Sequence, residues 1–569
     1  MSEGTLTFKD GTSELKVGLS SYLDGVNQLS DGSTLENYGT IIVSSGTIGS
    51  TQVIEGKASY TAPSIINAGV IKVDEKFELD GYNLIIKPDP SSFRKPTMDE
   101  VTANSYELSD ANAGFLLSNR VSIVAPSFDF GNNAAQIDPL FTQGTNARVY
   151  KFENVFDPST PGGGTNTGEV SVKSNSLTFD AVPVTNDKGK IDIWMEKINY
   201  DNFTVGAWYD GFAKEIESKY LNAEGDTLKV YDKLDLITDE TVLRNSLEQL
   251  AGGMYSNINQ REQDIYGILD NALYTLQNSD NNTKENVKIS IIGVKGKTEE
   301  DTDGVVPYKY SATGILALRE VERTYKHTFG YSLGYLHTGF EFEDHNKSEE
   351  WVDTIQLGLH NKYSVQGWSL RNDLTGRVSF HNIDRNIDWP DQSKGVERSE
   401  MNGTYETYSI TSDNILGKEF SIGKKFSVTP YGAFKAMYVT RPTFSESGLE
   451  ALQIEGNDAW SAKPRAGLEL KTTLPLGAKT AWQLKGSLDF AYEYELADLN
   501  EREKARLIAV EDGYHKLSKP EDEKGTFRTK AAIGVEVEDR YGIFLTGEYS
   551  TGNDKENDYR AGVTLKAVF

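Results

Sequence analysis

Hydrophobic and polar residues alternate with period two at the end of the chain. Between Asp558 and Phe569 the apolar side chains fall on one face and most polar side chains on the other. This alternation is typical of a β-strand with one apolar face. Because Phe569 leaves no tail to cover the edge of the strand, we expect the strand to be paired. Pairing with the first strand of the same sheet would close a barrel.

The same alternation recurs through residues 286–569 and gives about twelve strand candidates. Ile355, Leu357 and Leu359, for example, oppose Gln356 and His360. Side chains alone cannot fill a lumen of about twelve strands, so we expect the charged face inside and the apolar face towards lipid. Short turns alternate with longer polar loops, such as residues 382–401. The pattern predicts a roughly 12-stranded antiparallel transmembrane β-barrel.

Residues 1–205 show short β-rich runs that are broken by Gly, Asn and Ser. Two runs share a local motif, Asn37-Tyr-Gly-Thr-Ile-Ile and Asn67-Ala-Gly-Val-Ile-Lys, spaced by about thirty residues. An Asn-x-Gly turn before each apolar strand favours the coils of a parallel β-helix, in which each rung stacks on the previous one. A β-sandwich stays open as the alternative. The region is predicted to be mainly β, as a β-helical stem.

The periodicity changes to a helical one within residues 206–285. Thr238 is the predicted N-cap of a first helix, and the pair Gly252-Gly253 interrupts it. A second helix is predicted from Tyr255 to Gln277, with a strongly polar first half. At 1.5 Å per residue it would be roughly 35 Å long, about the height of a bilayer. An α-helical linker that threads the barrel is therefore predicted, with an ordinary surface helix as the alternative.

Composition excludes several classes of function. The net charge of −27 argues against nucleic-acid binding, which requires a basic surface. There is no cysteine, so disulfides and thiolate metal sites are excluded. The first residues lack the charged and apolar regions of a secretory signal. We therefore expect either a fragment of a longer protein or a chain that is not exported.

No motif predicts an enzyme. Gly330-Tyr-Ser-Leu-Gly334 matches the G-x-S-x-G spelling of a nucleophile elbow, but it lies inside an alternating strand without the helix that the elbow requires. The six histidines are dispersed and show no metal-ligand spacing. We therefore predict no catalytic residue, no metal and no cofactor.

Two segments resemble a known family. Ser246-Leu-Glu-Gln-Leu-Ala-Gly-Gly-Met-Tyr-Ser-Asn resembles the segment that precedes the barrel of monomeric autotransporters, the type V secretion family, and Tyr559 to Phe569 resembles their C-terminal assembly signal. The resemblance implies a bacterial outer-membrane barrel that exports its own passenger and anchors it at the cell surface. It also implies contact with outer-membrane lipid, the barrel-assembly machinery and periplasmic chaperones. The implied passenger is an adhesin, whose own partner on host or neighbouring cells is unknown.

The resemblance and the polarity of the second helix together define candidate residues. The predicted lumen-facing residues of the pore helix are Asn257, Arg261, Glu262 and Asp264. The residues implied as the assembly signal are Tyr559, Val563, Leu565 and Phe569. Some autotransporters cut their passenger by cyclisation of an asparagine in this helix. Their paired asparagines are reduced here to Ser256-Asn257, so an uncleaved passenger is predicted.

Two other functions remain as alternatives. An outer-membrane hydrolase would carry carboxylates or histidines at the rim of the barrel. A passive porin would not require the helix at Tyr255 to Gln277.

Overall fold

A computed structural model describes most of the chain. The described residues are 5–8, 14–17, 34–37, 40–43, 64–73, 76–79, 83–97, 99–100, 114–131, 134–158, 166–278, 284–299, 302–391, 395–477, 481–497, 501–510, 513–520, 524–552 and 557–569. They divide into two compact units, residues 1–246 with 390–395, and residues 247–389 with 396–569.

The first unit contains sixteen described strands, most of them short. They are β1 Thr5–Phe8, β2 Glu14–Val17, β3 Thr34–Asn37, β4 Thr40–Val43, β5 Ser64–Asn67, β6 Val70–Val73, β7 Lys76–Glu78, β8 Asn83–Ile86, β9 Phe115–Ser118, β10 Ser122–Val124, β11 Ser127–Asp129, β12 Ala134–Ile137, β13 Val149–Asp157, β14 Ser171–Ser174, β15 Phe179–Thr185 and β16 Ile191–Lys197.

Successive strands of this unit mostly alternate between two sheets. One sheet has the order β1-β3-β5-β8-β12-β14, and the other has the order β15-β16-β13-β10-β6-β4-β2. The pairings are parallel except for β13 with β16 and β15 with β16. Alternate side chains are buried in β6 and β8, as Ile71 and Val73 are in β6. The apolar faces of this unit are therefore turned inwards.

Four α-helices follow: α1 Asp210–Lys219, α2 Gly225–Asp235, α3 Glu240–Ala251 and α4 Ile258–Gln277. Asp239 caps α3, because its Oδ1 accepts the backbone N–H of Val242 at 3.0 Å. The predicted cap at Thr238 is therefore one residue too early. Gly252 adopts φ +82°, which breaks the helix as predicted, and a 3₁₀ turn precedes α4. No helix in the described ranges is long and apolar enough to cross a membrane.

The second unit is a closed barrel. Its strands are β17 Glu285–Glu299, β18 Tyr308–Thr324, β19 His327–Phe342, β20 Glu349–Val365, β21 Trp368–Asp391, β22 Gly395–Lys418, β23 Phe420–Ile422, β24 Phe426–Arg441, β25 Phe444–Ser447, β26 Leu452–Ile454, β27 Asn457–Pro475, β28 Trp482–Tyr494, β29 Lys504–Leu507, β30 His515–Lys516, β31 Gly525–Val537, β32 Tyr541–Gly552 and β33 Asn557–Val568.

Twelve long strands of the described residues form the wall of the barrel, and five short strands belong to its connections. The last strand pairs antiparallel with the first, from Lys288 opposite Val568 to Glu299 opposite Asn557. The prediction for residues 382–401 is wrong, because β21 runs to Asp391 and β22 begins at Gly395. Most of this supposed loop continues the sheet.

The polarity of the barrel is inverted relative to a soluble protein. In β20, Ile355, Leu357 and Leu359 are 45%, 63% and 52% exposed. Thr354 and Gln356, between them, are buried. An apolar belt outside and polar groups inside are characteristic of barrels in the outer membrane.

Candidate functional site: the pore helix, its mouth and the closing strand

Helix α4 lies inside the barrel. Along its length it makes polar contacts with strands from all round the wall, which only an internal helix can reach. The partner strands are β18, β20, β21, β22, β27, β31, β32 and β33. Asn257, Arg261, Glu262 and Asp264, which the sequence singled out, are all buried.

Arg261 forms the centre of the polar half of the helix. Its Nε lies 2.8 Å from Oε2 of Glu350 on β20, and both side chains are 0% exposed. Its Nη1 donates to Oδ1 of Asn257 at 2.7 Å and to the carbonyl of Met254 at 3.0 Å. A buried charge requires such partners, because removing one partner from a buried pair costs about 3–5 kcal/mol. Arg261 therefore ties the start of α4 to the barrel wall.

A histidine connects the helix to two strands. His381 on β21 lies between two carboxylates, with Nδ1 2.8 Å from Oε1 of Glu350 and Nε2 3.1 Å from Oε1 of Glu262. The hydroxyl of Thr407 on β22 also donates to Oε1 of Glu262, at 2.7 Å. Glu262 of α4 is thus bonded to both β21 and β22, which makes the position of the helix specific.

Asp264 contacts a different part of the wall. Its Oδ2 accepts the hydroxyl of Tyr308 on β18 at 2.8 Å, and its Oδ1 accepts Nη2 of Arg560 on β33 at 2.8 Å. Further along, Asn271 donates to Oε2 of Glu548 on β32 at 2.6 Å. The helix is therefore held by separate groups of strands, and through Arg560 it also contacts the closing strand.

A second cluster surrounds the turn at Gly252, and we call it the mouth clasp: Arg385, Glu446, Leu452 and His515. Arg385 donates to both carboxylate oxygens of Glu446, at 2.8 and 2.7 Å, and its Nη1 donates to the carbonyl of Gln249 at 2.9 Å. The Nε2 of His515 donates to the carbonyl of Ala251 at 2.8 Å. These bonds satisfy carbonyls at the end of α3 that have no partner within the helix.

The mouth clasp also packs tightly against the turn. A side chain added at Gly252 would place its Cβ 2.5 Å from Cδ1 of Leu452. Leu452 belongs to β26, which pairs with β25 and β29 in a small sheet of the connections. No sequence pattern predicts this cluster, because most of its members lie far apart along the chain.

The closing strand carries the four residues implied as an assembly signal. Tyr559, Val563 and Leu565 are 42%, 41% and 42% exposed on its outer face, and Phe569 is 67% exposed. The backbone of Phe569 exchanges two hydrogen bonds with Val287, at 2.8 and 3.1 Å. The aromatic end is thus fixed to the first strand, while its ring lies on the outside with its centroid 6.4 Å from that of Tyr541, in an edge-to-face arrangement.

The first unit has its own buried charge cluster. Lys197 lies 3.6 Å from Asp235 and 3.7 Å from Glu217, with its side chain fully buried. Asp235 also accepts the hydroxyls of Tyr200 and Tyr220, at 2.7 and 2.8 Å. Burial lowers the pKa of Lys197, against the opposing effect of the carboxylates. The cluster joins β16 to α1 and α2 within this unit.

Among the described residues, no group of histidine and acidic side chains has the geometry to hold a metal ion. Three features define the architecture of the barrel: an inverted polarity, an internal helix and a closing strand with an aromatic end. These features place the second unit in the class of outer-membrane β-barrels.

Comparison with known proteins makes the class more specific. Residues 287–548 match the model of the autotransporter β-domain. This part of the chain is an autotransporter translocator, a bacterial outer-membrane barrel of type V secretion that exports a passenger. Residues 110–199 match the BigA β-sandwich domain, so the sandwich that the sequence left open is supported for that part of the first unit.

Solved structures of the same kind are similar to this chain. The translocator domain of the autotransporter NalP from Neisseria meningitidis shares 16% identity, with a TM-score of 0.42 over 56% of this chain and 99% of that chain. The transport unit of the autotransporter AIDA-I from Escherichia coli shares 12% identity, with a TM-score of 0.36 over 53% and 98%. No curated protein sequence matches the chain.

Proposed function

We propose that this chain exports its own N-terminal region across the outer membrane and keeps it anchored at the cell surface, with α4 as the plug. We propose the domain boundaries that were predicted from the sequence, with the stem at 1–205, the linker at 206–285 and the barrel at 286–569. The observation that carries the proposal is the set of buried polar contacts between α4 and the wall. A polar helix in a charge-lined lumen satisfies both surfaces and closes a pore that would otherwise leak.

The early strands support a β-helical stem. Each strand pairs in parallel with the one that follows it in the same sheet, about one coil later, as β3 does with β5. The Nδ2 of Asn37 donates to Oδ1 of Asn67 at 3.0 Å, and both side chains are buried. Stacked asparagines at equivalent turns are typical of stacked coils. The motif that recurs in the sequence is therefore a ladder that supports coil-on-coil stacking.

The contacts of Asn257 support an uncleaved passenger. Its Nδ2 donates to the carbonyl of Val306 at 2.7 Å, and its Oδ1 accepts from Arg261 at 2.7 Å. Cyclisation would require this nitrogen to attack the carbonyl carbon of Asn257 itself. Because both ends of the amide are already bonded, the side chain is held as a structural link. The surface region, for which we propose an adhesive role, would remain tethered.

Assembly would depend on the closing strand. We expect the exposed face formed by Tyr559, Val563, Leu565 and Phe569 to be read by the barrel-assembly machinery, after periplasmic chaperones have kept the chain unfolded. Deletion of Phe569 should reduce the yield of inserted barrel in outer-membrane fractions. Phe420→Ala, which removes another exposed aromatic ring from the barrel, is the matched control and should insert normally.

The plug is tested by measuring conductance in planar bilayers. The full chain should show low conductance, and a variant that lacks residues 258–277 should open a pore several times larger. A variant with an equally large deletion in the stem is the control and should stay closed. Equal conductance with and without α4 would favour the passive porin instead.

Surface export is tested separately on intact cells. Protease added outside should release the stem while the barrel stays protected, and the untreated chain should remain full-length. A stem that is digested only after the cells are broken would contradict export. Cleavage between Asn257 and Ile258 in untreated cells would contradict the tether.

A further inference from the structure

A buried lysine of the first unit lies close to two carboxylates. The Nζ of Lys197 on β16 is 3.6 Å from Oδ1 of Asp235, at the end of α2, and 3.7 Å from Oε2 of Glu217 on α1. The side chains of Lys197, Asp235 and Glu217 are 0%, 2% and 6% exposed. Both distances exceed the usual length of a hydrogen bond, about 2.7–3.2 Å. The three groups therefore meet in the interior without the short contacts of an optimised ion pair.

Aromatic rings enclose the amine. The Nζ of Lys197 lies 3.7 Å from the ring centroid of Tyr200, 4.8 Å from that of Tyr220 and 5.5 Å from that of Phe179. These rings exclude water, and burial lowers the pKa of Lys197 although the carboxylates oppose the shift. A desolvated lysine that loses its proton readily is a good nucleophile.

Three hydroxyl groups donate to the carboxylate of Asp235. Its Oδ1 accepts from Thr178 at 2.6 Å and from Tyr200 at 2.7 Å. Its Oδ2 accepts from Tyr220 at 2.8 Å. Burial raises the pKa of both tyrosines, so their hydroxyls keep their protons. Fixed donors of this kind stabilise the negative oxygen that forms when a nucleophile adds to a carboxyl carbon.

Glu217 is fixed beside the amine by other partners. Its Oε2 accepts the backbone N–H of Tyr200 at 2.9 Å, and its Oε1 forms an ion pair with Arg148. A carboxylate held next to a reacting amine can take up a proton and pass it on. The cluster thus combines a nucleophile, a carboxyl carbon and a proton carrier in one dry site.

The interior also favours an uncharged product. An ammonium and a carboxylate both carry a desolvation cost when they are buried, whereas an amide carries no charge. Reactants that the fold holds side by side react as if they were at very high concentration. Because water is excluded, the reverse hydrolysis is hindered once the bond has formed.

We propose that Lys197 and Asp235 join in an intramolecular isopeptide bond, with Glu217 as the proton carrier. One proton of the ammonium passes to Oδ1 of Asp235, and the neutral Nζ bonds to Cγ. A second proton passes from Nζ through Oε2 of Glu217 to the same Oδ1. The bond between Cγ and Oδ1 then breaks, and one water molecule leaves. The product links β16 to α2 covalently, and its formation does not depend on export.

Mass spectrometry of the full chain, folded in detergent or in outer-membrane vesicles, tests the bond. We expect the intact mass to be lower than that calculated from the sequence by one water molecule. Trypsin does not cut after an amidated lysine, so digestion should give a branched peptide in which residues 191–214 are joined to residues 234–244. A chain of full mass with these regions in separate peptides would overturn the proposal.

Two substitutions distinguish this bond from other losses of water. Lys197→Arg keeps the charge but should not form the bond, so this variant should have its full mass and its first unit should melt at a lower temperature. Asp235→Asn should form the same bond by releasing ammonia, so its final mass should equal that of the unmodified chain. A succinimide at another aspartate would also remove one water molecule. It would persist in Lys197→Arg without a branched peptide, and that result would overturn the proposal.

Glu217→Gln tests the proton carrier. After dilution from denaturant, this variant should form the bond more slowly by a factor of about 10²–10⁴, as expected when general acid–base catalysis is lost. The branched peptide that finally forms should join the same residues. An unchanged rate would contradict the role of Glu217.

Lys151→Arg is the matched control. Lys151 is another buried lysine of the first unit, and its Nζ lies 3.0 Å from Oδ2 of Asp192, within the distance of an ordinary ion pair. This variant should lose one water molecule and give the same branched peptide. Loss of the branched peptide in Lys151→Arg would assign the reaction to the wrong lysine and overturn the proposal.

The bond and the export function are read separately. If Lys197→Arg lacks the bond while protease outside the cells still reaches its stem, the bond is supported and export is unaffected. A branched peptide from cells whose stem stays inside would support the bond and contradict the export function.

Discussion

The two units use the same alternation with opposite polarity. In β6 of the first unit, Ile71 and Val73 are 0% and 2% exposed and form the core. In β20 of the barrel, Ile355 and Leu357 are 45% and 63% exposed and form the outer belt. The periodicity of a strand predicts that one face is apolar, but it does not say where that face points. The solvent decides this: water around the first unit, lipid around the barrel.

The difference extends to the buried polar groups. The first unit has a local charge cluster around Lys197, whereas the barrel buries ion pairs along the first half of α4. In the barrel these pairs lie next to buried apolar residues such as Leu269 and Leu273, and they connect the helix to the wall. The contrast between an apolar and a polar interior leads to the following predictions.

The largest effect is expected from reversing a charge inside the barrel. Arg261→Glu would place a carboxylate beside Glu350 and near Glu262, both buried. We expect the interaction free energy that holds α4 in the barrel to weaken by at least about 3–5 kcal/mol. A buried ion pair is broken, and a repulsion between carboxylates is added. Thermal unfolding of the barrel and single-channel conductance measure this loss. The melting temperature should fall and the pore should open.

Arg319→Glu is the control for this variant. Arg319 is 43% exposed and pairs with Glu285 on the barrel exterior, so its reversal should leave stability nearly unchanged. A closed pore and unchanged melting in Arg261→Glu would show that α4 is not held by its charges. The contrast between the two units would then lose its main support.

The second prediction compares an isoleucine-to-alanine substitution in the core of the first unit with one on the outer belt of the barrel. Ile71→Ala should destabilise the first unit by about 2–5 kcal/mol, because it leaves a cavity in a packed core. Ile355→Ala on the outer belt should cost clearly less, because lipid chains fill the space. The two variants are compared by unfolding each in denaturant. Protease resistance reports the unfolding of the stem, and gel mobility reports the unfolding of the barrel. Equal losses would mean that the outer belt packs against protein.

A smaller effect is expected at the mouth clasp. Gly252→Ala combines an unfavourable φ of +82° with a Cβ 2.5 Å from Leu452, and we expect a loss of about 1–3 kcal/mol. The double variant Gly252→Ala with Leu452→Ala should recover the steric part only. Gly211→Ala, in helix α1 with open space around it, is the control and should be neutral or stabilising. Protease sensitivity of the turn after α3 measures the effect.

The sequence predicted what depends on local periodicity and missed what depends on distant pairs. The alternation predicted the strands, the inverted polarity and the closing strand at Phe569. The polarity of the first half of α4 predicted Arg261, Glu262 and Asp264 as residues that face the lumen. Two of their partners, Glu350 and His381, lie on inward faces of strands more than eighty residues away. Nothing in the sequence selects them from the other inward polar residues.

The mouth clasp was missed for the same reason. Arg385 meets Glu446 only after the register of the strands is fixed. For the early strands the repeat of Asn37 and Asn67 was the informative signal, and the β-helix remains a prediction that rests on it.

The smallest effect is a pH dependence in the first unit. Burial raises the pKa of Asp232 to about 6, although its carboxylate accepts the backbone N–H of Gly144 at 2.9 Å. A carboxyl whose folded pKa is raised above the unfolded value favours the folded state at low pH, and this contribution is lost as the pH rises from about 4 to about 6. In the Asp232→Asn variant, the stability of the first unit should therefore change less with pH between about 4 and about 6. Because the group is partly exposed, solvent screening reduces the effect, so we expect only a small shift in melting temperature. Melting curves of both chains at pH 4, 5, 6 and 7 check the prediction. If the melting temperatures of the two chains changed with pH in parallel, Asp232 would have its ordinary pKa. Its role would then be limited to the hydrogen bond with Gly144.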